Sequence, residues 1–209
     1  MKDPKLFLVS APSGAGKSSL IDAVLAQANQ SHLSLELSIS YTTRSPRKGE
    51  SNGNQYFFIS EEEFLDKKKS NFFLEHAEVH GNWYGTSVDF VQSKLSSGVN
   101  LILEIDVQGF RQINDLSINY DSIFILPPSI QSLEERIKSR GDEDLESINL
   151  RLKNAKDELA YAKEYKHIII NDSFEDAKSE LFNIIAQENS VNMQNIEEVQ
   201  QFLAQLLSY

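Results

Sequence analysis

The chain has 209 residues, no cysteine and a formal net charge of −11. This length suits one α/β domain with insertions, and the lack of cysteine excludes disulfides and thiolate metal sites, which favours a reducing, cytoplasmic compartment. No apolar run reaches the ~20 residues of a membrane helix, and residues 1–4 do not begin a signal peptide. The acidic charge argues against nucleic acid and membrane partners.

The first predicted element is a buried strand at Leu6–Ser10, followed by a glycine-rich turn and a helix. The segment reads L-F-L-V-S-A-P-S-G-A-G-K-S-S-L over residues 6–20. Such a turn binds polyphosphate because its backbone N–H groups surround the phosphate oxygens and the helix N-terminus adds positive charge. Lys17 is placed to reach the terminal phosphates and Ser18 to bind Mg²⁺. The alternative, an ordinary strand–helix corner, gives no reason for a lysine directly after Gly16.

One position of this turn departs from the pattern G-x-x-x-x-G-K-[ST], because Ala11 stands where the pattern has glycine. Alanine fits there only if its φ angle stays negative. On that condition we predict a phosphate-binding loop made of Ala11, Pro12, Ser13, Gly14, Ala15, Gly16, Lys17 and Ser18.

Farther along, strand and helix patterns alternate. Apolar or alternating segments predict strands at Leu35–Ser40, Asn100–Asp106, Ser122–Leu126 and His167–Ile170. Apolar residues at helical spacing predict helices within residues 20–25, 130–137, 145–162 and 174–185. Because a phosphate loop follows the first strand, this alternation predicts an α/β fold with a three-layer parallel sheet.

Residues 41–96 interrupt the alternation. They are rich in polar and aromatic residues, and Tyr56–Ile59 and Phe73–Val79 are predicted strands of an antiparallel or mixed sheet. Between them, S-E-E-E at residues 60–63 predicts a capped helix that ends in Lys67–Lys69, since acid at its start and base at its end both favour the helix dipole. We therefore expect a second, mixed α+β lobe.

The turn S-I-S-Y-T-T-R-S-P-R-K-G-E at residues 38–50 concentrates hydroxyls and cations. The guanidinium groups of Arg44 and Arg47 suit a phosphate, which they can bind bidentately. The alternative is a solvated basic loop. Because the rest of the chain is acidic, we favour a phosphate site.

The segment F-L-E-H-A-E-V-H-G-N-W-Y-G-T at residues 73–86 holds candidates for purine recognition. A carboxylate accepts hydrogen bonds from N1–H and the N2 amine of guanine, a pair that adenine lacks, and a hydroxyl can bond O6. From residue types alone, a core strand is the alternative. Zinc at His76 and His80 is disfavoured, because residues four apart on a strand lie about 13 Å apart.

Two further polar groups stand at the ends of predicted elements. Glu104 and Asp106 follow an apolar strand, where open α/β sheets bind ligands, so they either hold the water shell of Mg²⁺ or the acceptor nucleotide, or cap the strand end. A polar segment at residues 139–144 is flanked by Arg136, Arg140 and Arg151. It is either a turn with exposed salt bridges or a lid that brings arginines over the phosphates, and beside a phosphate loop we favour the lid.

Taken in order, these motifs resemble the bacterial type of guanylate kinase over roughly residues 6–188. The resemblance rests on S-A-P-S-G-A-G-K-S at 10–18, T-T-R-S-P-R-K-G-E at 42–50, F-L-E at 73–75, Y-G-T at 84–86, L-E-I-D-V-Q-G at 103–109, R-G-D at 140–142 and I-I-N-D at 169–172. It implies an ATP:GMP phosphotransferase that uses Mg²⁺, accepts GMP and dGMP, and serves guanine nucleotide synthesis and recycling.

The resemblance also implies the roles of individual residues. GMP would be bound by Ser40, Arg44, Arg47, Tyr56, Glu75, Tyr84, Thr86, Glu104 and Asp106. ATP would be bound by the phosphate loop together with Arg136 and Asn171, the latter near the adenine. The groups around the migrating phosphoryl would be Lys17, Arg44, Arg140 and Arg151.

The predicted organisation has four parts. A P-loop kinase core comprises residues 1–40, 97–136 and 151–189, a GMP-binding lobe comprises 41–96, and a helical lid comprises 137–150. The last part, residues 190–209, contains an amphipathic helix with Ile196, Val199, Phe202, Leu203, Leu206 and Leu207 on one face. That face either docks on its own domain or packs against another subunit, and we favour a homo-oligomer because a short linker lets the helix project.

Two other functions fit parts of the sequence. A binding module of the same fold would have lost catalytic residues, whereas Lys17, Ser18, Arg44 and Arg140 are all present. A kinase for another small molecule is disfavoured by the pairing of Glu75 with Thr86, which suits guanine.

Overall fold

The computed structural model describes residues 3–79, 81–116, 118–139, 145–187 and 196–207. Its strands are β1 (Leu6–Ser10), β2 (Leu35–Leu37), β3 (Ser40–Thr42), β4 (Tyr56–Phe58), β5 (Phe73–Val79), β6 (Asn82–Ser87), β7 (Asn100–Glu104), β8 (Tyr120–Leu126) and β9 (His167–Ile170). Its helices are α1 (Lys17–Gln30), α2 (Glu61–Lys69), α3 (Val88–Ser96), α4 (Val107–Asn114), α5 (Ile130–Lys138), α6 (Leu145–Leu159), α7 (Phe174–Ala186) and α8 (Ile196–Leu207). Outside the described residues lie residues 140–144 of the predicted lid, which include Arg140, together with His80 and the predicted linker.

The strands form two sheets, a five-stranded one in the order β2-β7-β1-β8-β9 and a four-stranded one in the order β4-β3-β6-β5. In the first sheet β2 pairs parallel with β7, and β8 pairs parallel with β9. In the second, β3 pairs parallel with β4 but antiparallel with β6, which also pairs antiparallel with β5. The predicted α/β fold with a parallel sheet and an inserted mixed lobe is confirmed.

Several predicted element bounds were wrong, three of them in ways that change which element a residue belongs to. The single strand expected at Leu35–Ser40 is divided between β2 and β3, which belong to different sheets. The strand expected at Asn100–Asp106 ends at Glu104, because Asp106 instead caps the next helix. The long helix ends at Leu159, and its expected continuation is a separate 3₁₀ turn at Ala162–Glu164.

By contact density the chain divides into two compact units. The first comprises Met1–Leu8 and Ser34–Tyr120, and the second Val9–Leu33 and Asp121–Tyr209. The division into core, lobe and lid stays a prediction.

Aromatic packing holds the mixed sheet of the first unit. Phe64 of α2 stacks on Phe73 and on Trp83, with ring centroids 4.4 and 5.7 Å apart. Helix α2 has the predicted Ser60 cap, whose side chain accepts a hydrogen bond from the Glu63 amide, and it ends in lysines as expected. This packing gives β5 and β6, which carry the candidate base-reading residues, a buried support.

Helix α4 packs against β5 in the same unit. The side-chain amide of Gln112 donates to the His76 carbonyl at 2.6 Å, and its oxygen accepts from the His76 amide at 3.1 Å. The helix begins at Asp106, whose Oδ1 accepts from the Gly109 amide at 2.9 Å. Because Gln112 pairs with both backbone groups of one residue, it holds α4 against the strand edge.

In the second unit, helix α8 buries its apolar face within its own chain. Val199, Leu203 and Leu206 are buried, and α8 packs against α6. Leu207, at the end of the helix, is 48% exposed. None of the helices described is both long enough and apolar enough to span a membrane.

Candidate active site

The phosphate loop begins directly after β1, a strand whose residues are all buried. Gly14 and Gly16 have φ angles of 91° and 92°, which only glycine adopts without strain. Ala11 is absent from the residues with positive φ, so the condition for an alanine at this position is met. Gly16 precedes the first turn of α1 without any capping side chain. The loop therefore has the backbone of an anion-binding turn at a helix N-terminus.

Asn171 supports this loop from the end of β9. Its side chain is 5% exposed, its Nδ2 donates to the Ala15 carbonyl at 2.7 Å, and its backbone amide donates to the Leu126 carbonyl at 2.8 Å. The sequence predicted only an adenine contact for this residue. Its bond to the loop was missed because the two partners are 156 positions apart.

A cavity of about 340 Å³ opens beside the loop in the same unit. Its lining residues are Gly14, Gly16, Ser19, Arg136, Ser139, Asn171, Asp172 and Phe174. The structure thus brings the predicted Arg136 and Asn171 together with the loop glycines. Ser19, Ser139 and Phe174 were not predicted as site residues, and Asp172 was seen only as the last residue of the motif I-I-N-D.

Replacing Gly16 by alanine should damage this site beyond the ordinary cost of a positive φ angle. An added Cβ would lie 2.5 Å from Asn171 Nδ2, so the amide that holds Ala15 must move. Gly98→Ala is a matched control, because Gly98 has φ of 86° and no atom within 4 Å of an added Cβ. We expect Gly98→Ala to lose about 1–2 kcal/mol of stability. We expect Gly16→Ala to lose at least ~1 kcal/mol more than the control, and to bind ATP about tenfold more weakly. Denaturant unfolding measures the stability and titration measures the ATP affinity of each variant. Equal losses in Gly16→Ala and Gly98→Ala would contradict the predicted clash with Asn171.

The candidate guanine reader is a buried carboxylate in the mixed sheet. Glu75 of β5 is 4% exposed and pairs in register with Thr86 of β6. The Thr86 hydroxyl donates to Glu75 Oε1 at 2.6 Å, and the Ser40 and Thr86 hydroxyl oxygens lie 3.3 Å apart. These three predicted GMP residues therefore form one hydrogen-bonded chain.

Gly109 of α4 lets the helix approach this carboxylate. A Cβ added at Gly109 would lie 2.5 Å from Glu75 Oε2. The residue appeared in the sequence only as the last letter of a motif, and nothing local revealed its role.

Burial raises the pKa of Glu75 to about 7, and the negative charge of Asp106 adds to this effect, while the hydrogen bond from Thr86 opposes it. Asp106 is occupied as a helix cap, with Gln108 Nε2 also donating to its Oδ2 at 3.0 Å. Its contacts in this structure are those of a helix N-cap, whereas the alternative expected from the sequence was a capped strand end. Within the described ranges, no group of three or more His, Asp or Glu side chains is arranged to hold a metal ion.

The predicted phosphate turn is ordered by ion pairing and by aromatic rings. Both Nη atoms of Arg44 donate to the Glu50 carboxylate at 2.9 Å, and its guanidinium lies 5.3 Å from the Tyr56 ring centroid. The rings of Tyr56 and Tyr84 meet edge to face at 5.8 Å. Burial, with the nearby charge of Glu104, raises the pKa of Tyr56 to about 12, so the phenol stays a hydrogen-bond donor at neutral pH.

The sequence and the fold are similar to those of known proteins. A family model described as guanylate kinase matches residues 3–188. A curated guanylate kinase of Hahella chejuensis is 47% identical over 184 residues, covering 88% of this chain and 86% of that relative, and one of Escherichia coli is 45% identical with 90% of each covered. The crystal structure of guanylate kinase from Anaplasma phagocytophilum is 29% identical, with a TM-score of 0.70 and coverage of 97% and 95%. The phosphate loop and the buried Glu75–Thr86 pair agree with these matches. The chain belongs to the guanylate kinase family.

Proposed function

We propose that this protein transfers the γ-phosphoryl group of ATP to GMP, giving ADP and GDP, and that it also accepts dGMP. The observation that carries the proposal is the buried Glu75, held by Thr86, because a carboxylate and a hydroxyl at this spacing complement N1–H, N2 and O6 of guanine. The family membership supports the same reaction. Its place would be guanine nucleotide synthesis and recycling.

On the ATP side, we assign the loop amides and Lys17 to the phosphates. Ser18 is exposed in the first turn of α1, and its hydroxyl is a hard oxygen donor that fits Mg²⁺. The bound ion would neutralise charge on the β- and γ-phosphates. Asn171 would contact the adenine as well as hold Ala15.

On the acceptor side, we assign Arg44, Arg47, Ser40, Tyr56 and Tyr84 to the phosphate of GMP. A phosphate oxygen is already nucleophilic, so no strong base is needed and catalysis consists of positioning and electrostatic stabilisation. Arg140 of the lid and Arg151 of the core would stabilise the transferring group. Glu104 and Asp106 would complete the guanine pocket.

A coupled assay of ADP formation tests this function against its rivals. We expect turnover with GMP and dGMP and at least about tenfold lower kcat/KM with AMP and UMP, since neither offers the donor pair that Glu75 accepts. ATP binding without any turnover would instead indicate a binding module. Preference for AMP or UMP would indicate another nucleotide kinase.

The homo-oligomer through α8 is likewise a proposal. Leu207, which stays exposed, supports it, whereas the burial of Val199, Leu203 and Leu206 against the same chain favours a monomer. Sedimentation of the intact chain and of a truncation after Glu188 decides between them. Self-association that disappears with the tail supports the oligomer, and two monomers overturn it.

A cytoplasmic location is also proposed. It is supported by the absence of cysteine, which leaves no disulfide to require an oxidising compartment. Cell fractionation with an antibody to the chain tests it, and recovery outside the cytoplasm would contradict it.

A further inference from the structure

The last residue of the motif T-T-R-S-P-R-K-G-E has contacts that no predicted role explains. Glu50 accepts hydrogen bonds from Nη1 and Nη2 of Arg44, each at 2.9 Å, and from the backbone amide of Arg47 at 2.6 Å. Its own amide donates to the Arg47 carbonyl at 3.0 Å. One carboxylate therefore joins the two arginines that we assign to the phosphate of GMP.

Glu50 occupies one edge of the Arg44 guanidinium. The group has five N–H donors arranged in a planar fork. In the described part of the chain, Glu50 takes one donor from each Nη atom, and the Ser45 carbonyl takes the second donor of Nη1 at 2.7 Å. The Tyr84 side chain also hydrogen-bonds to this guanidinium. The N–H groups of Nε and of Nη2 form the other bidentate edge, which suits the phosphate to which Tyr84 is also assigned.

The plane of this fork is also held. The Arg44 guanidinium carbon lies 5.3 Å from the Tyr56 ring centroid and 5.6 Å from that of Phe58. The side chains of Arg44 and Glu50 are 14% and 18% exposed. The hydrogen bonds from Arg44, followed by the one from the Arg47 amide, lower the pKa of Glu50 to about 2, so the pair stays ionised at any physiological pH.

We propose that Glu50 is a positioning residue for the phosphate of GMP. Glu50 holds one edge of the Arg44 guanidinium, so that the other edge and Arg47 can bind the phosphate together. This inference rests on the proposed function. The competing explanation is that Glu50 occupies the phosphate site and must be displaced. Its own bond to the Arg47 amide argues against displacement, because it ties Glu50 to the backbone of the turn.

The two explanations predict opposite effects of Glu50→Gln on GMP binding. If Glu50 positions Arg44, the variant should bind GMP about tenfold more weakly, because a charge-assisted hydrogen bond that orders the fork is lost. If Glu50 competes with the phosphate, the variant should bind GMP more tightly. Glu61→Gln, which removes the same charge from an exposed residue of α2, is the matched control and should leave affinity unchanged.

Guanosine, which lacks the phosphate, separates positioning from structural damage. We expect calorimetry to show unchanged guanosine affinity in Glu50→Gln, whereas a merely structural role would weaken guanosine and GMP alike. Glu50→Asp keeps the charge on a shorter side chain and should show an intermediate loss, which tests the idea even if the first variant unfolds. Tighter GMP binding, equal losses for both ligands, or no loss in either variant would each overturn the proposal. Failure of the wild-type protein to phosphorylate GMP would instead overturn the proposed function.

Discussion

Lys17→Ala should lower turnover with saturating GMP by at least about a hundredfold while leaving the fold intact. Lys17 is the first residue of α1 and follows directly on the loop glycines, so its side chain begins at the loop assigned to the phosphates of ATP. Charge that stabilises the transferring group is worth about 10²–10³ in kcat when one donor is removed. The measurement is steady-state ADP release, with far-ultraviolet circular dichroism to confirm folding.

Lys163→Ala is the control for this variant. Lys163 is exposed in the 3₁₀ turn of the same unit and lies outside the loop, so its loss removes the same charge without touching the phosphates. We expect wild-type turnover from the control. A Lys17→Ala enzyme with more than about a tenth of wild-type turnover would contradict the assignment of this loop to ATP.

Glu75→Gln should lower the affinity for GMP at least about tenfold and leave the affinity for ATP nearly unchanged. The carboxylate would accept two hydrogen bonds from guanine, whereas the amide group of glutamine would place its own donor opposite one of the two guanine donors. A hydrogen bond that is not made in a buried site costs about 1–3 kcal/mol. Titration with each nucleotide separates the two effects. Equal losses for ATP and GMP would count against a base-reading role.

The raised pKa of Glu75 adds a pH dependence to this prediction. Guanine needs the ionised carboxylate, so GMP affinity of the wild type should rise as pH increases from about 5 to about 7 and then level off. Below the pKa, each pH unit changes the ionised fraction about tenfold. Glu75→Gln has no such group and should lose this dependence, while Glu78→Gln, an exposed neighbour on β5, should keep it.

Stability should change in the opposite direction. Because the folded-state pKa of about 7 lies above the ordinary 4.5, the folded protein holds this proton to higher pH than the unfolded chain does. The contribution of Glu75 to the free energy of unfolding should therefore fall as pH rises from about 4.5 to 7, by on the order of 3 kcal/mol. Glu75→Gln should be more stable than wild type at pH 8. Denaturant unfolding of both proteins at pH 5 and pH 8 measures this difference. If the free energies of unfolding of the wild type and of Glu75→Gln changed equally between the two pH values, the prediction would be wrong.

Features that depend on neighbouring residues could be predicted from the sequence. The phosphate loop is one, because its glycines, its lysine and the strand and helix around it are contiguous, and each contributes through its own backbone or side chain. The capped helix α2 is another, since Ser60 and Glu63 lie within one turn. The adenine contact of Asn171 came only from the family resemblance, because nothing in its local sequence indicates such a role.

The tertiary structure decided the contacts between residues that lie far apart in the chain. An extended segment has the same alternating pattern whether it forms one strand or two, so only pairing with β7 or with β6 separates β2 from β3. The pKa of Glu75 depends on burial and on Asp106, and the fit of Gly109 depends on how closely α4 approaches β5. The residue types assigned to the nucleotides could therefore be predicted from the sequence by itself. Their charge states and orientations were decided by packing, because desolvation and contact depend on distance in space.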